Sequence, residues 1–300
     1  MKLDFQSGTY VVAVSGGVDS VVLLDLLFRW KITKEKPAYL IVAHFDHGIR
    51  AESETDRLFV ECLAKTYELP FVYASGNLGA GASEEAARVV RYNFLNKVVK
   101  DYKARGLFTA HHQDDLIETA MLNTLRGTGR RGLNSLKSSD ILLRPLLSTT
   151  KADIIKYAIA NNLKWHEDST NNDLKYTRNY IRHRVLPKLA SDKRQQLLKH
   201  IDKQGQLNDQ IDSQVAKLLT KHLVDNRLPR LWFNSLDSRL SREVIIGWMR
   251  LNSIFNYDRR TIERLGSSLK VAKPGSLIDI IQGWQVKVSK TYLALEPVER

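Results

Sequence analysis

Short, β-branched apolar runs alternate with longer stretches of helical spacing through the first half of the chain. Residues 10–14, 39–46, 71–74 and 107–110 are apolar on both faces, the pattern of buried parallel strands. Between them, the stretch after Ser20 and residues 53–68, 83–103 and 111–125 carry apolar positions at helical spacing and length. Residues 141–147 read as a last strand that Pro145 confines to an edge. This alternation predicts an α/β fold with a doubly wound, mostly parallel sheet.

The second half has another rhythm. Residues 151–162 read as a helix, 165–176 as a polar loop, and 178–184 as a short helix ended by Pro187. Residues 191–223 read as one long connecting helix, broken near Gly205. Helices at 239–250 and 259–269 follow, then a hairpin of 275–281 with 284–295 that turns at Gln282-Gly283. The predicted organisation is a sheet domain over 1–188, a helical linker over 189–223 and a small basic α+β domain over 224–300.

Charge changes this picture. Residues 1–150 hold 19 Lys and Arg against 17 Asp and Glu, a net of +2, whereas residues 151–300 hold 27 against 16, a net of +11. A basic second half beside a near-neutral sheet domain suits a polyanion such as RNA. The competing reading is solubility charge on Lys-rich helices. No apolar run approaches the ~20 residues of a membrane span, and no basic-then-apolar leader precedes the first strand. A single cysteine, Cys62, rules out an intrachain disulfide framework. A cytoplasmic protein is the expectation.

Candidate chemistry gathers where strands give way to helices. Ser15-Gly-Gly-Val-Asp-Ser20 joins the first strand to its helix, and its glycines let backbone N–H groups approach a phosphate. A tight turn capped by Asp19 or Ser20 is the alternative. Asp46 ends the second strand at the edge where open sheets bind ligands. His111 and His112 precede Asp114, Asp115 and Glu118, acids suited to Mg²⁺, to an ammonium group or to a base. A zinc site from His44, His47, His111 and His112 is disfavoured, since adjacent histidines rarely both ligate. Arg88 and Arg91 share a helix face with Tyr92. Arg126, Arg130 and Arg131, interleaved with glycines, suit phosphate or form a solvated loop. Arg178, Arg182 and Arg184 read as phosphate contacts or a surface cluster. Trp232, Phe233, Trp248 and Trp284 read as core more readily than as RNA contacts.

The segment Ser15-Gly-Gly-Val-Asp-Ser20 resembles the signature of the PP-loop ATP pyrophosphatases. With His44-Phe-Asp-His-Gly-Ile-Arg50, Glu85-Ala-Ala-Arg88, Ala110-His-His-Gln-Asp-Asp-Leu-Ile-Glu-Thr119, Arg126-Gly-Thr-Gly129, Arg144-Pro-Leu-Leu147 and Asp168-Ser-Thr-Asn-Asn-Asp173, the chain resembles the tRNA(Ile)-lysidine synthetase family. Glu85 stands where that family's pattern suggests Ala, and Thr170 where it suggests Ser or Pro. The resemblance implies ATP with Mg²⁺, tRNA(Ile) and free lysine as substrates, and is compatible with a homodimer. It implies that the wobble cytidine of a CAU anticodon is adenylated and then ligated to lysine, releasing AMP and pyrophosphate. It places ATP on Ser15, Gly16, Gly17, Val18, Asp19, Ser20 and Asp46, and chemistry on Asp114, Asp115 and Glu118, with Asp115 a candidate for Mg²⁺. It places tRNA phosphate on Arg88, Arg91, Arg126, Arg130, Arg178 and Arg182. Many members continue into a second C-terminal domain, so a short form or a truncated chain is expected. The rivals are a PP-loop RNA thiolase, for which one cysteine is too few, an amidotransferase-type synthetase, and a non-catalytic RNA-binding protein with a vestigial ATP site.

Overall fold

The computed structural model describes residues 5–33, 38–46, 53–76, 84–166, 177–255, 257–281 and 283–298. The expectations placed on His47, on the Gly-rich loop after Gly76 and on the polar loop from Asp168 lie outside the described residues. The chain forms two compact units. One joins Met1–Leu122 to Asn134–Leu198, and the other joins Asn123–Leu133 to Lys199–Arg300.

The first unit is built on a five-stranded parallel sheet: β1 (Gly8–Ala13), β2 (Ala38–Asp46), β3 (Phe71–Ser75), β4 (Gly106–Phe108) and β5 (Leu142–Leu143). Their order is β3-β2-β1-β4-β5. Val11 pairs with Ile41 and with Leu107, while Val12 pairs with Val42 and Phe108. Successive side chains of β1 point to opposite faces, and both faces are covered. Val12, Val42 and Leu40 pack with Val22 and Leu24 of α1 (Val18–Thr33), Val60 of α2 (Ser53–Thr66) and Ile154 of α5 (Lys151–Ala160). Val11, Ile41 and Leu107 pack with Leu95 and Val98 of α3 (Glu84–Asp101). The chain winds outward from β1 to β3 and then returns to β4. The switch point therefore falls between β1 and β4, where open sheets hold ligands at the strand C-termini.

Ile117 and Leu122 of α4 (Gln113–Leu125) pack on Ile181 and Leu186. The predicted edge strand shrinks to two residues, because the Arg144 N–H turns aside to the Ser138 hydroxyl. The helix expected at 178–184 is α6 (Thr177–Tyr180), which widens into a π turn over Ile181–Val185 and closes as a 3₁₀ turn over Leu186–Lys188. Pro187 thus stands in the first turn of the 3₁₀ segment, where a missing N–H is tolerated.

The second unit lays α9 (Ser238–Leu251) and α10 (Arg259–Val271) with the later part of α7 (Ser191–His222) against an antiparallel sheet. That sheet comprises β6 (Arg227–Pro229), β7 (Leu277–Ile281), β8 (Trp284–Val288) and β9 (Tyr292–Pro297), ordered β6-β9-β8-β7. A short α8 (Arg230–Ser235) follows β6 and buries Phe233. Phe233 and Trp248 are fully buried, so these two aromatics are core. Two expectations are corrected. Helix α7 is unbroken at Gly205, a residue whose cost of about 1 kcal/mol is small beside the packing of a long amphipathic helix. The terminal hairpin is a three-stranded meander, since Ser289 and Tyr292 close a second turn that splits the expected long strand.

Candidate active site

The loop between β1 and α1 is folded around the Ser20 hydroxyl. Ser20 Oγ accepts from the Ser15 N–H at 3.1 Å, donates to the Gly17 carbonyl at 2.9 Å and lies 3.2 Å from Ser15 Oγ. Ser20 and Asp19 therefore sit in the first turn of α1 rather than capping it. Gly16 has φ +95°, so a side chain there would be strained. A Cβ on Gly17 would meet only Ser15 Oγ, at 3.7 Å. The fold itself therefore leaves room for a side chain at position 17. Burial holds His44 below its ordinary pKa, and the neutral ring contacts the Val14 carbonyl through Nδ1 at 2.9 Å. The His166 N–H donates to the Gly16 carbonyl at 3.0 Å. Its ring stacks on Phe59 at 4.3 Å and meets Asp56 at 2.7 Å.

Asp19 links this loop to the acids of α4. Lys151 Nζ donates to Asp19 Oδ1 at 2.6 Å, and His112 Nε2 lies 3.7 Å from the same oxygen. His112 Nε2 is also 3.5 Å from Asp115 Oδ2, which accepts the His112 N–H at 3.0 Å. Asp115 Oδ1 accepts from Arg182 at 3.0 Å. Arg182 then forks onto Glu118, Nε to Oε1 at 2.7 Å and Nη2 to Oε2 at 2.9 Å. Arg178 donates to Thr119 Oγ1 at 3.2 Å and stands 3.7 Å from Glu118. Asp114 accepts from Arg194, at the start of α7.

The three acids differ in environment. Glu118 has no exposed side-chain surface, whereas Asp115 and Asp114 keep 17% and 20%. Burial pushes Glu118 above the ordinary carboxyl range, with the Arg182 fork opposing. Burial also pushes Asp115 up, but His112, its own N–H contact, His111 and Arg182 together hold it below the usual range. Burial works against the Arg182 charge, and the Glu118 and Asp115 carboxylates more than restore it. Asp115 is therefore an ionised carboxylate with one edge toward solvent.

Just before α4, a neutral histidine, His111, meets Arg144. Thr109 Oγ1 lies 3.0 Å from His111 Nδ1, and Arg144 Nε donates to that nitrogen at 3.4 Å. Burial, opposed by Asp115 and reinforced by Arg144, Arg91 and Arg88, pushes His111 down to about 3. Arg88 and Arg91 lie 4.9 and 5.5 Å from the Tyr92 ring. Asp46 ends β2 beside β1, on the same strand edge as the loop, and its carbonyl accepts the Gly76 N–H. Among the described residues no group of three or more His, Cys, Asp or Glu is set to hold a metal.

A family model described as a PP-loop domain matches residues 2–189. The chain belongs to the PP-loop family. Curated relatives named tRNA(Ile)-lysidine synthase include one from Thermosipho africanus, 40% identical over 59% of this chain and 43% of the relative. Another, from Thermotoga maritima, is 35% identical over 75% and 52%. A third, from Photobacterium profundum, is 32% identical over 89% and 63%. The chain spans about half the length of these relatives. The U34-tRNA thiolase NcsA from Methanococcus maripaludis shares the fold, with TM-score 0.54 at 18% identity over 66% of this chain and 73% of that one.

The PP-loop domain thus brings together loop, acids, Arg178 and Arg182, and carries Arg88 and Arg91 on α3 beside Tyr92. Arg126 and Arg130 belong to the other unit. Arg126 is exposed. Arg130 donates to Glu243 at 2.9 and 2.8 Å, to Asn208 Oδ1 at 3.0 Å and to Asp212. Arg131 adds a 2.5 Å bond to Asp212, and Arg250 approaches the same carboxylate at 3.3 Å. The donors of Arg130 are spent on helices α7 and α9. Sequence reasoning passed over Lys151, Arg194 and His166. Lys151 opens a helix after two threonines, where nothing in the local pattern separates it from a surface lysine. Cys62 lies in α2 and is exposed.

Proposed function

We propose that the protein uses ATP to ligate lysine to the wobble cytidine of a tRNA(Ile) with a CAU anticodon, through an adenylated cytidine, releasing AMP and pyrophosphate. The observation that carries this is the continuous bridge Asp19–His112–Asp115–Arg182–Glu118. It joins the pyrophosphate loop to an ionised acid within one sheet edge. The three relatives named above support the choice of substrates.

The cytidine 2-oxo oxygen would attack the α-phosphorus, and the electron pair of the broken P–O bond would leave with pyrophosphate on the loop's N–H groups. Lysine's ε-amine would then attack C2 and expel AMP. A free ε-amine has pKa ~10.4 and must lose a proton to attack. Asp115, ionised and partly open, is the acid suited to orient that amine and to receive its proton. Glu118, buried and forked, serves as the anchor that fixes Arg182 and through it Asp115. Asp114 is held by Arg194 at the rim. Mg²⁺ would come with the triphosphate, and Asp19 and Asp115 on either side of His112 fit the one or two carboxylates such an ion takes. It would neutralise phosphate charge. Arg88, Arg91 and Arg178 would meet tRNA phosphate near the site, and Arg126 and the basic second unit would also contact RNA phosphates. A cytoplasmic setting, and a homodimer as the assembled form, complete the reading.

The test is direct. The protein is incubated with ATP, Mg²⁺, labelled lysine and tRNA transcripts, and the digested RNA is examined by mass for a cytidine carrying lysine. Pyrophosphate release that needs RNA but gives no lysine-dependent product would remove this reading in favour of another PP-loop modification.

A further inference from the structure

The Gly16–Gly17 peptide is the link of the pyrophosphate loop that its own residues fix least. A glycine stands on each side of it, so no side chain restricts the rotation of its plane. The plane is fixed from outside instead. The His166 N–H donates to the Gly16 carbonyl at 3.0 Å. In a trans peptide the carbonyl and the next N–H point in opposite directions. The bond from His166 therefore turns the Gly17 N–H away from His166, where its contact within the protein is a long one, 3.4 Å to the Ser15 hydroxyl. Helix α1 begins at the next residue, so this N–H adds to the donors at the helix N-terminus.

His166 is itself held twice by α2. Its Nδ1–H donates to Asp56 Oδ1 at 2.7 Å, and its ring stacks on Phe59 with centroids 4.3 Å apart. Asp56 and Phe59 are three residues apart and share a face of the helix. Phe59 also underlies the loop, because a Cβ on Gly16 would stand 3.5 Å from its ring. An acid in the first turn of a helix is stabilising for its charge alone, but that does not call for a partner 110 residues away. We propose that Asp56 and His166 are positioning residues of the pyrophosphate loop, holding the Gly16–Gly17 peptide so that the Gly17 N–H meets a phosphate oxygen. This rests on the ATP reading of the proposed function. Asp56 touches no ligand; it acts through the imidazole, which fixes the backbone that carries the donating N–H. Without this brace the plane between the two glycines is ordered only on binding, and that ordering lowers affinity.

The proposal separates a ligand that uses the loop from one that does not. Wild type, Asp56→Ala, Asp56→Asn, His166→Ala and Tyr157→Phe are titrated with a fluorescent ATP analogue, with inorganic pyrophosphate or adenosine as competitor. Thermal unfolding is followed in parallel. Asp56→Ala and His166→Ala are expected to weaken pyrophosphate on the order of 10-fold and to change adenosine less than about twofold. Asp56→Asn keeps an oxygen that accepts from Nδ1 and should return pyrophosphate to within about threefold of wild type. Tyr157→Phe, which removes a hydrogen bond to Asp25 outside the brace, should lower the midpoint and leave pyrophosphate unchanged. Wild-type pyrophosphate affinity in Asp56→Ala and His166→Ala would overturn the proposal. So would equal weakening of both competitors, or an affinity that follows the midpoint through Tyr157→Phe as well. Should His166→Ala fail to fold, the contrast between Asp56→Ala and Asp56→Asn decides the matter alone. A protein that binds pyrophosphate with this dependence yet forms no lysine adduct on tRNA would refute the proposed reaction and leave the brace standing.

Discussion

Two arginine clusters in this protein look alike in sequence and differ in what they face. Arg178 and Arg182 come from a charged helix, and Arg130 and Arg131 from a Gly-rich loop, so each group reads as a phosphate contact. Arg182 meets acids at the ligand edge of a parallel sheet, with its partners Asp115 and, through His112, Asp19 open to the mouth. Arg130 meets Asp212, Glu243 and Asn208 among the helices of the second unit. A guanidinium reads as functional or structural only through its acceptors. The first cluster joins carboxylates of unequal burial, so one acid can work while the other anchors. The second spends its donors on holding a loop to two helices.

The largest effect expected on this contrast comes from the loop beside the first cluster. Gly17→Val has room in the folded protein, so it should leave the melting midpoint within a few degrees while lowering RNA-dependent pyrophosphate release on the order of 10³-fold, by blocking backbone N–H groups. Wild-type release from this variant would reduce the loop to a turn.

Next come the two acids. Asp115→Asn should lower the lysine-dependent step on the order of 10²-fold, with adenylated RNA accumulating in single-turnover assays. Glu118→Gln should instead destabilise the first unit by about 2 kcal/mol, because it breaks the charged fork between the partly exposed Arg182 and a fully buried carboxyl. Identical losses of adenylation in both variants, with unchanged lysine dependence, would place both acids on ATP instead.

A smaller effect is expected in the second cluster. Arg130→Met should cost about 2 kcal/mol of stability and leave the salt dependence of tRNA binding unchanged, whereas Arg126→Ala should lower the slope of log affinity against log salt by ~1. A reduced slope for Arg130→Met would return Arg130 to the RNA surface and dissolve the comparison. The acidic limb of this cluster gives a pH signature. Burial pushes Asp212 up, but Arg131 and Arg130 outweigh it, so its folded pKa lies below the ordinary 3.8. The stability it contributes is complete above that value and is lost as the pH falls through the lower folded one. Asp212→Asn should flatten this part of the acid unfolding curve.

The smallest effect lies outside both clusters. Buried Asp25 accepts from Tyr67 at 2.8 Å and Tyr157 at 2.6 Å, and burial followed by that bond pushes Tyr157 up to about 12. Tyr157→Phe should cost about 1 kcal/mol on thermal unfolding without altering nucleotide affinity.

The sheet domain was legible because β1, β2 and β4 are apolar on both faces and end in polar clusters, a signal carried by each strand alone. The loop and the acids of α4 were legible for the same reason: chemistry and local geometry coincide over a few residues. What the sequence hid depends on distant partners. Lys151 has meaning only beside Asp19, and Arg130 only beside Asp212 and Glu243. The splitting of the last long strand is intermediate. Ser289, Lys290 and Thr291 interrupt its apolar alternation, but short polar trios also occur on solvated strand faces.

The excursion at Asn123–Leu133 bears on the order in which the protein can be assembled during synthesis. Arg130 precedes Asp212 by 82 residues and Glu243 by 113. At ~5–20 residues per second, Arg130 leaves the ribosome roughly 4–16 s before Asp212 follows it. Through that interval the nascent loop carries two arginines with none of their acids. The strands on either side can pair at once, while the segment between β4 and β5 waits for sequence not yet translated. Maturation of the second unit is thus paced by translation, and a ribosome paused within α7 would hold a finished sheet with an open, cationic loop.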